Sequence, residues 1–233
     1  MKIVGWNCSG GYRNKAAKIL ETTPDIVVVS ECESKVRSSF TSPERCLWFG
    51  DEIKNPSKGL AVISYSDYLL ETHDCYNPSF RYVVPIKVKG KTNFNLIAVW
   101  TKNDNFYEYI GQFWLAIKHY EQLLDEKPIV IVGDLNWCAL FDKKYKSSAW
   151  FAPSMQLLKN KGITSAYHNF NKKEYGEEQE MTFCHRSSGK TYHIDYCFAS
   201  DDMMAKLKNF EIGEFDQWKK YSDHMPIIAE FDL

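Results

Sequence analysis

Asp134 and Asn136, in Gly133-Asp134-Leu135-Asn136, follow directly on the apolar run Ile129-Val130-Ile131-Val132. Asp223 and His224 stand directly before Met225-Pro226-Ile227-Ile228. Two more apolar runs end in the same way, Ile3-Val4-Gly5-Trp6 in Asn7 and Ile26-Val27-Val28-Val29 in Ser30-Glu31. The carboxylates of Glu31 and Asp223 are hard oxygen ligands, suited to Mg²⁺ or Mn²⁺ held with several positions left for water. The neutral amide of Asn7 suits the same centre, orienting a phosphate or a metal-bound water. Asp134 is suited to accept a proton from an attacking water. Asn136, two residues on, points the same way if the chain stays extended, and can hydrogen-bond the nucleophile or a phosphoryl oxygen. His224 suits proton transfer or the offset of charge on phosphorus. Its tautomer needs a partner, and Asp195 is the best one: it lies among apolar neighbours in Ile194-Asp195-Tyr196-Cys197-Phe198, where an unpaired carboxylate is costly.

Each residue alone has an ordinary explanation. Asn7 can bond a turn, Glu31 can cap an element, Asp134 with Asn136 can form an Asx turn, and Asp223 can cap a short helix. Their joint occurrence, each where an apolar run meets a loop, points to a divalent metal working with acid–base groups. His185, in Cys184-His185-Arg186, is a further candidate for substrate contact. His73, His119 and His168 sit in no motif and read as surface or packing residues. His193 is placed on the opposite face of its strand from Asp195.

Such groups need rigid strands to hold them. Short apolar or alternating runs predict strands near 2–7, 26–31, 59–65, 82–88, 93–100, 129–134, 181–184, 193–198 and 226–231, with a loop at Asn55-Pro56-Ser57. Helical spacing predicts helices near 14–22, capped by Asn14 with Ala16, Ile19 and Leu20 on one face, and near 105–124, with a stripe of Phe106, Ile110, Phe113, Trp114, Ile117 and Leu124. A third is expected near 148–161, ending at Gly162 with Pro153 in its first turns. Hairpin-like strand pairs with few helices suit an α/β arrangement of two packed sheets flanked by helices, with the candidate residues gathered at one end.

No linker, low-complexity segment or repeat divides the 233 residues, so residues 1–233 read as one domain. The seven cysteines stand singly with no CxxC pair, which argues against a zinc site and for reduced thiols in a cytoplasmic protein. No apolar stretch approaches a membrane span. The net charge of −1, with five arginines among 29 basic residues, speaks against a nonspecific binder of duplex DNA and for a small, single-stranded or nucleotide substrate. The lysines of Lys87-Val88-Lys89-Gly90-Lys91 read as guarding an edge strand, and those of Lys143-Lys144-Tyr145-Lys146 as a solvated surface. Trp100, Tyr107, Trp137 and Trp150 are of a type that stacks on bases, although rings of this kind more often fill a core. Composition says nothing of oligomeric state.

Trp6-Asn7, Ser30-Glu31, Gly133-Asp134-Leu135-Asn136, Ile194-Asp195-Tyr196 and Ser222-Asp223-His224 together resemble the ordered motifs of the endonuclease/exonuclease/phosphatase superfamily. The resemblance runs from position 6 to 224. It implies a four-layered α/β sandwich, two mostly antiparallel or mixed sheets between helices, and Mg²⁺-dependent phosphoester hydrolysis by in-line water attack. It further implies that Glu31 is the main metal ligand, that Asp134 activates water, that Asn136 and Asn7 position phosphate and metal, that Asp195 orients His224, and that Asp223 completes the site. Two departures stand out. Trp100 lies where many members carry a histidine or tyrosine, and Cys8-Ser9-Gly10-Gly11 follows Asn7 where nuclease members often have an acid. The leading expectation is a nuclease-type phosphodiesterase acting on nucleic acid. A phosphomonoesterase, a nucleotide phosphodiesterase or a catalytically silent binding module are the alternatives.

Overall fold

The computed structural model describes residues 1–103 and 109–233. In chain order the elements are β1 (Lys2–Asn7), α1 (Ala16–Leu20), β2 (Ile26–Cys32), β3 (Cys46–Asp51), β4 (Asn55–Ser64), β5 (Leu69–Thr72), β6 (Val83–Lys89), β7 (Phe94–Trp100), α2 (Ile110–His119), β8 (Ile129–Asp134), α3 (Ala139–Lys144), α4 (Phe151–Asn160), β9 (Ile163–Ser165), α5 (Ala166–Asn171), β10 (Phe183–Cys184), β11 (Thr191–Tyr192), β12 (Asp195–Ser200), α6 (Asp201–Met204), β13 (Leu207–Ile212), α7 (Phe215–Trp218) and β14 (Ile227–Phe231). Short 3₁₀ turns join several of them.

The strands form two six-stranded sheets, in the orders β13-β14-β1-β2-β4-β3 and β5-β6-β7-β8-β12-β9, and the small hairpin β10-β11. The pairs β1/β2 and β7/β8 are parallel and the others antiparallel. Side chains alternate across a strand, and the alternation sorts the apolar residues into layers. Ile3, Ile26, Val28, Leu60 and Val62 of the first sheet face Leu96, Ala98, Val130, Val132, Cys197 and Ala199 of the second, and together they form the central core. Val4, Trp6, Val27, Val29 and Ile63 point out of the first sheet against Tyr12, Ile19, Val36 and Trp218. Ile97, Val99, Ile131 and Phe198 point out of the second against Phe113, Ile117, Phe151 and Leu158 of α2 and α4. The result is a four-layered α/β sandwich.

The expected nine strands are present, with β4 beginning at Asn55, so that Pro56 lies within the strand and not in a loop before it. The stretch 14–22 holds a shorter helix than expected: Tyr12–Asn14 is a 3₁₀ turn, Lys15 takes the cap position without a side-chain bond, and Leu20 is exposed while Ile19 is fully buried. In the second helix Ile110, Phe113 and Ile117 are buried as the stripe requires, and Leu124 reaches the same core from a separate 3₁₀ turn, Leu123–Asp125. Phe106 and Tyr107 lie outside the described residues. The third helix ends before Gly162 at φ 65°, and Pro153 falls in its first turn, where its missing N–H costs nothing. The edge-guarding role for Lys87 and Lys89 is not borne out. β6 lies inside its sheet, and these lysines pair with Glu71 on the edge strand β5 and with Asp74 just beyond it.

Candidate active site

The central core ends in polar residues. Inward positions along β1 run through Ile3 and Gly5 to Asn7, along β8 through Val130 and Val132 to Asp134, and along β12 from Ala199 and Cys197 back to Asp195. Asn7, Asp134 and Asp195 are thus the last inward side chains at one end of the sandwich, and Asp195 stands directly opposite Asp134 in the β8/β12 ladder. Trp100 fills the matching slot on β7, in register with Asp134, and its ring packs 4.8 Å from Tyr82. It is a core residue walling the site, with no acid to offer. At Gly133 the chain has φ 145°, and a Cβ there would lie 1.9 Å from the carbonyl oxygen of Val99, so only glycine lets β8 carry Asp134 past β7.

Asn7 bridges the two sheets. Its Nδ2 donates to Asp134 Oδ2 at 2.9 Å and lies 3.5 Å from Glu31 Oε1. Asn136 has a left-handed backbone (φ 48°), so the strand does not continue, and the shared direction with Asp134 comes from a turn instead of extended geometry. Its backbone N–H donates to Asp134 Oδ1 at 2.7 Å, an Asx turn, and its Nδ2 donates to Asp134 Oδ2 at 2.9 Å and to the Thr101 carbonyl at 3.0 Å. The Asx turn that Asp134 with Asn136 can form is therefore present. His224 Nδ1 lies 2.9 Å from Asp195 Oδ2.

Burial pushes the Asp134 carboxyl up and the Asp195 carboxylate adds to it; His224 and the donors Asn7 and Asn136 pull back part of the rise, leaving it at about 7. His224 moves the other way. Burial opposes its charged form, but the Asp195 and Asp134 carboxylates outweigh that and raise it to about 9. Near neutral pH the site therefore sets a carboxylate able to take a proton beside an imidazolium, the kind of separation that assigns a base and an acid.

Several supporting groups have no signature in sequence because they act across long separations. Thr182 Oγ1 accepts the N–H groups of Ile194 and Asp195, both at 3.0 Å, fixing the start of β12. Ser222 Oγ donates to the Asn7 carbonyl at 2.7 Å and accepts from the His224 N–H at 3.0 Å. The Trp6 indole donates to the His224 carbonyl at 3.0 Å, and the Phe183 ring lies 4.7 Å from the imidazole. Lys58 pairs with Glu31.

Glu31 sits on the rim at a β-bulge, where the β2/β4 register shifts between Ser30 and Cys32, and its own φ of 59° turns its side chain out of the strand alternation. Asn7, Glu31, Asp134 and Asn136 thus form one connected cluster, with the Asp195–His224 pair against it. Asp223 and His185 stand outside its hydrogen bonds. The Asp223 carboxylate lies 3.8 Å from Arg186 Nε and 3.4 Å from Ser222 Oγ. Lys15, which donates to the Cys8 carbonyl at 2.5 Å, is near enough to Arg186 and Asp223 to feel both charges. His185 is exposed in the β10-β11 hairpin, its Nδ1 engaged by Ser187 and Ser188. The placing of His193 on the opposite face from Asp195 does not follow from alternation, since residues two apart on a strand share a face; its Nδ1 instead lies 2.9 Å from the Glu180 carbonyl. His193 precedes β12 and packs with Tyr167 and Tyr196. Of the stacking candidates, Trp137 is buried, its indole donating to Asp142 at 2.8 Å, and Trp150 stacks on Trp114 at 5.7 Å.

Ligand atoms of Asp134, Asp195 and His224 lie within 4.8 Å of one another, a spacing a cation can bridge. These atoms, however, already satisfy each other or accept from Asn7 and Asn136, and all three residues are buried. Glu31 is the better donor for a hydrated Mg²⁺ or Mn²⁺: an oxygen ligand, reached by water, tied only to Lys58 and the long Asn7 contact.

At the level of sequence the chain matches no family model and no curated protein. Its structure is similar to an AP endonuclease from Archaeoglobus fulgidus, with a TM-score of 0.72, 17% identity and full coverage of both chains. It is similar also to the 3′-5′ exonuclease NExo of Neisseria meningitidis, with a TM-score of 0.69, 23% identity and full coverage of both. The catalytic domain of APE2 from Xenopus laevis gives a TM-score of 0.70 at 16% identity, covering 99% of this chain and 91% of the other. The chain therefore has the endonuclease/exonuclease/phosphatase fold, as its motif order implied. Among the described residues no helix is long and apolar enough to cross a membrane.

Proposed function

We propose that the chain is a divalent-metal-dependent phosphoester hydrolase, and more specifically a phosphodiesterase acting on nucleic acid. The observation that carries this reading is the convergence of Asn7, Asp134 and Asp195 at the inward ends of three strands, with Asn7–Asp134 closing the seam and Asp195 backing His224. A cation at Glu31, with Asn7 and Asp223 as the further candidate ligands, would polarise a phosphoryl oxygen and offset its charge. Asp134 accepts the proton of the attacking water. Asn136, whose Nδ2 is committed to Asp134 and Thr101, uses Oδ1 to align that water. The imidazolium of His224, held by Asp195, faces the charge that grows on phosphorus and is the acid available to the leaving oxygen, since Trp100 supplies none and His185 is held in its hairpin. The protein is read as cytoplasmic, in keeping with its unpaired cysteines.

That two of the similar structures are named as nucleases, an AP endonuclease and a 3′-5′ exonuclease, supports nucleic acid as the substrate. The net charge of −1 favours a single strand or a nucleotide over long duplex, and NExo, described also as a 3′ phosphatase with product DNA, makes a terminal phosphomonoester the second reading. The test is hydrolysis of labelled single-stranded and duplex DNA and RNA with Mg²⁺, Mn²⁺ or EDTA, beside Glu31→Ala. Cleavage that needs the metal and is lost in the variant is the expected result. Activity that survives both EDTA and the substitution would sink the reading, and release of phosphate alone would select the monoesterase.

A further inference from the structure

Lys58 stands on β4 beside the β2 bulge. Ser30 pairs with Leu60 and Cys32 with Gly59, so the extra residue, Glu31, faces the Leu60–Gly59 step of β4, next to Lys58 in the chain. Gly59 fixes that step. A Cβ on it would lie 2.4 Å from the Trp48 ring and 2.6 Å from the Phe49 carbonyl oxygen, so β3 and β4 meet here with no room to shift. From this anchored backbone the Lys58 ammonium reaches the Glu31 carboxylate while 46% of its side chain stays exposed, against 21% for Glu31. Of the other cations near this end among the described residues, Lys15 donates to the Cys8 carbonyl, Arg13 pairs with Glu33, the His224 ring with Asp195, Arg186 lies 3.8 Å from Asp223, and Lys102 sits over the Trp100 ring; Lys58 is the one paired with Glu31. Lys58 is the flexible positive charge on the carboxylate best suited to hold the metal.

We propose that Lys58 is a positioning residue with two successive partners: it occupies Glu31 until a divalent cation arrives, then turns to the phosphoryl group of the substrate. The inference rests on the metal-dependent reading above. Its physical basis is charge. An ammonium and a divalent cation on one carboxylate repel each other, so cation binding expels Lys58, and the long stem lets the head group move without disturbing β4. A phosphate beside the cation then supplies the expelled ammonium with an anion. Lys58 therefore opposes metal binding alone and favours phosphate binding to the metal-loaded protein, which makes the two ligands more strongly coupled than they would be without it.

Calorimetric titration of Mn²⁺, and then of inorganic phosphate into the Mn²⁺-loaded protein, tests this on the wild type, Lys58→Met and Glu31→Gln. Lys58→Met keeps the aliphatic stem. It is expected to bind Mn²⁺ about 2–5-fold more tightly and phosphate roughly tenfold more weakly. A merely structural lysine would move both constants in the same direction. Mn²⁺ binding unchanged or weakened in Lys58→Met overturns the proposal, provided Glu31→Gln loses Mn²⁺, in which case the metal reading stands without it. If Glu31→Gln binds Mn²⁺ as the wild type does, Glu31 is not the ligand and both fall.

Discussion

In the proposed mechanism Asp134 and His224 have opposite duties, and the same burial acts on opposite charges in the two. Desolvation works against the anion of Asp134 and the cation of His224 alike, but Asp195 adds to the first effect and overrides the second. Hydrolysis should therefore rise with pH as Asp134 ionises and fall as His224 loses its proton, the first limb lying well above the ordinary carboxylate range and the second above the ordinary imidazole range. Asp195→Asn removes the main charge holding His224 up, so its alkaline limb should move toward lower pH in a pH–rate profile; an unmoved limb would show that Asp195 does not act through the imidazole. Asp134→Asn should lower turnover by about a hundred- to ten-thousand-fold. It should also lower the melting temperature, since the amide has one acceptor oxygen and sets its NH2 against an N–H of Asn7 or Asn136. Activity within a few-fold of wild type would exclude Asp134 as the base. These residues were legible because each follows or precedes an apolar run. Thr182, Ser222 and Lys58 were not, because their roles depend on partners that the fold brings together from far along the chain.

The strands differ in how plainly they are written. Every strand inside the two sheets was evident as an apolar or alternating run, whereas β3, β5, β9 and β13 were missed, and these four are the sheet edges. An edge strand has a neighbour on one side only and is more open to water, so it is short or mixed in polarity and lacks the periodic signal of an interior strand. β5 shows this in Leu69-Leu70-Glu71-Thr72, with Leu70 its sole buried residue. The lysines of β6 misled for the related reason that their partners, Glu71 in the edge strand β5 and Asp74 just beyond it, carry no strand signal. Gly133 is where the fit of one element to another is least forgiving. Gly133→Ala sets a methyl group against the Val99 backbone and forces a left-handed residue, for a cost of about 3 kcal/mol or more. Chemical denaturation should show that loss, and a variant as stable as wild type would mean that β7 and β8 can separate here.

For the molecule as a whole, the buried titrating cluster couples folding to pH. Asp134 holds its proton to about 7 in the folded chain, against about 4 when unfolded, so the stability it contributes is fully present below about 4 and is lost as the pH rises to 7. His224, raised from about 6.5 to about 9, contributes stability that is present below 6.5 and lost through 9. The metal-free protein should therefore melt at progressively lower temperature from pH 5 to 9, with Asp134→Asn flattening the lower part of that slope and His224→Gln the upper. A melting temperature that rises across this range would contradict the assignment. The sandwich itself was legible from its interior strands, but the Asn7–Asp134 hydrogen bond between the sheets was not, since nothing local tells β1 that β8 lies opposite.

The inward alternation of β1, β8 and β12 makes this enzyme-like site a matter of phase as well as of composition. One residue inserted into β8 before Asp134 leaves every side chain in the chain intact, yet turns the carboxylate toward the helices and brings Val132 or Gly133 out of step with the seam. Two residues restore the facing but move the carboxylate along the strand by about 7 Å, beyond reach of Asn7. A scan of insertions through these strands should thus be harsher on function than a scan of substitutions at the same positions, with loops beyond Asn171 and before Met181 tolerating what the strand ends do not.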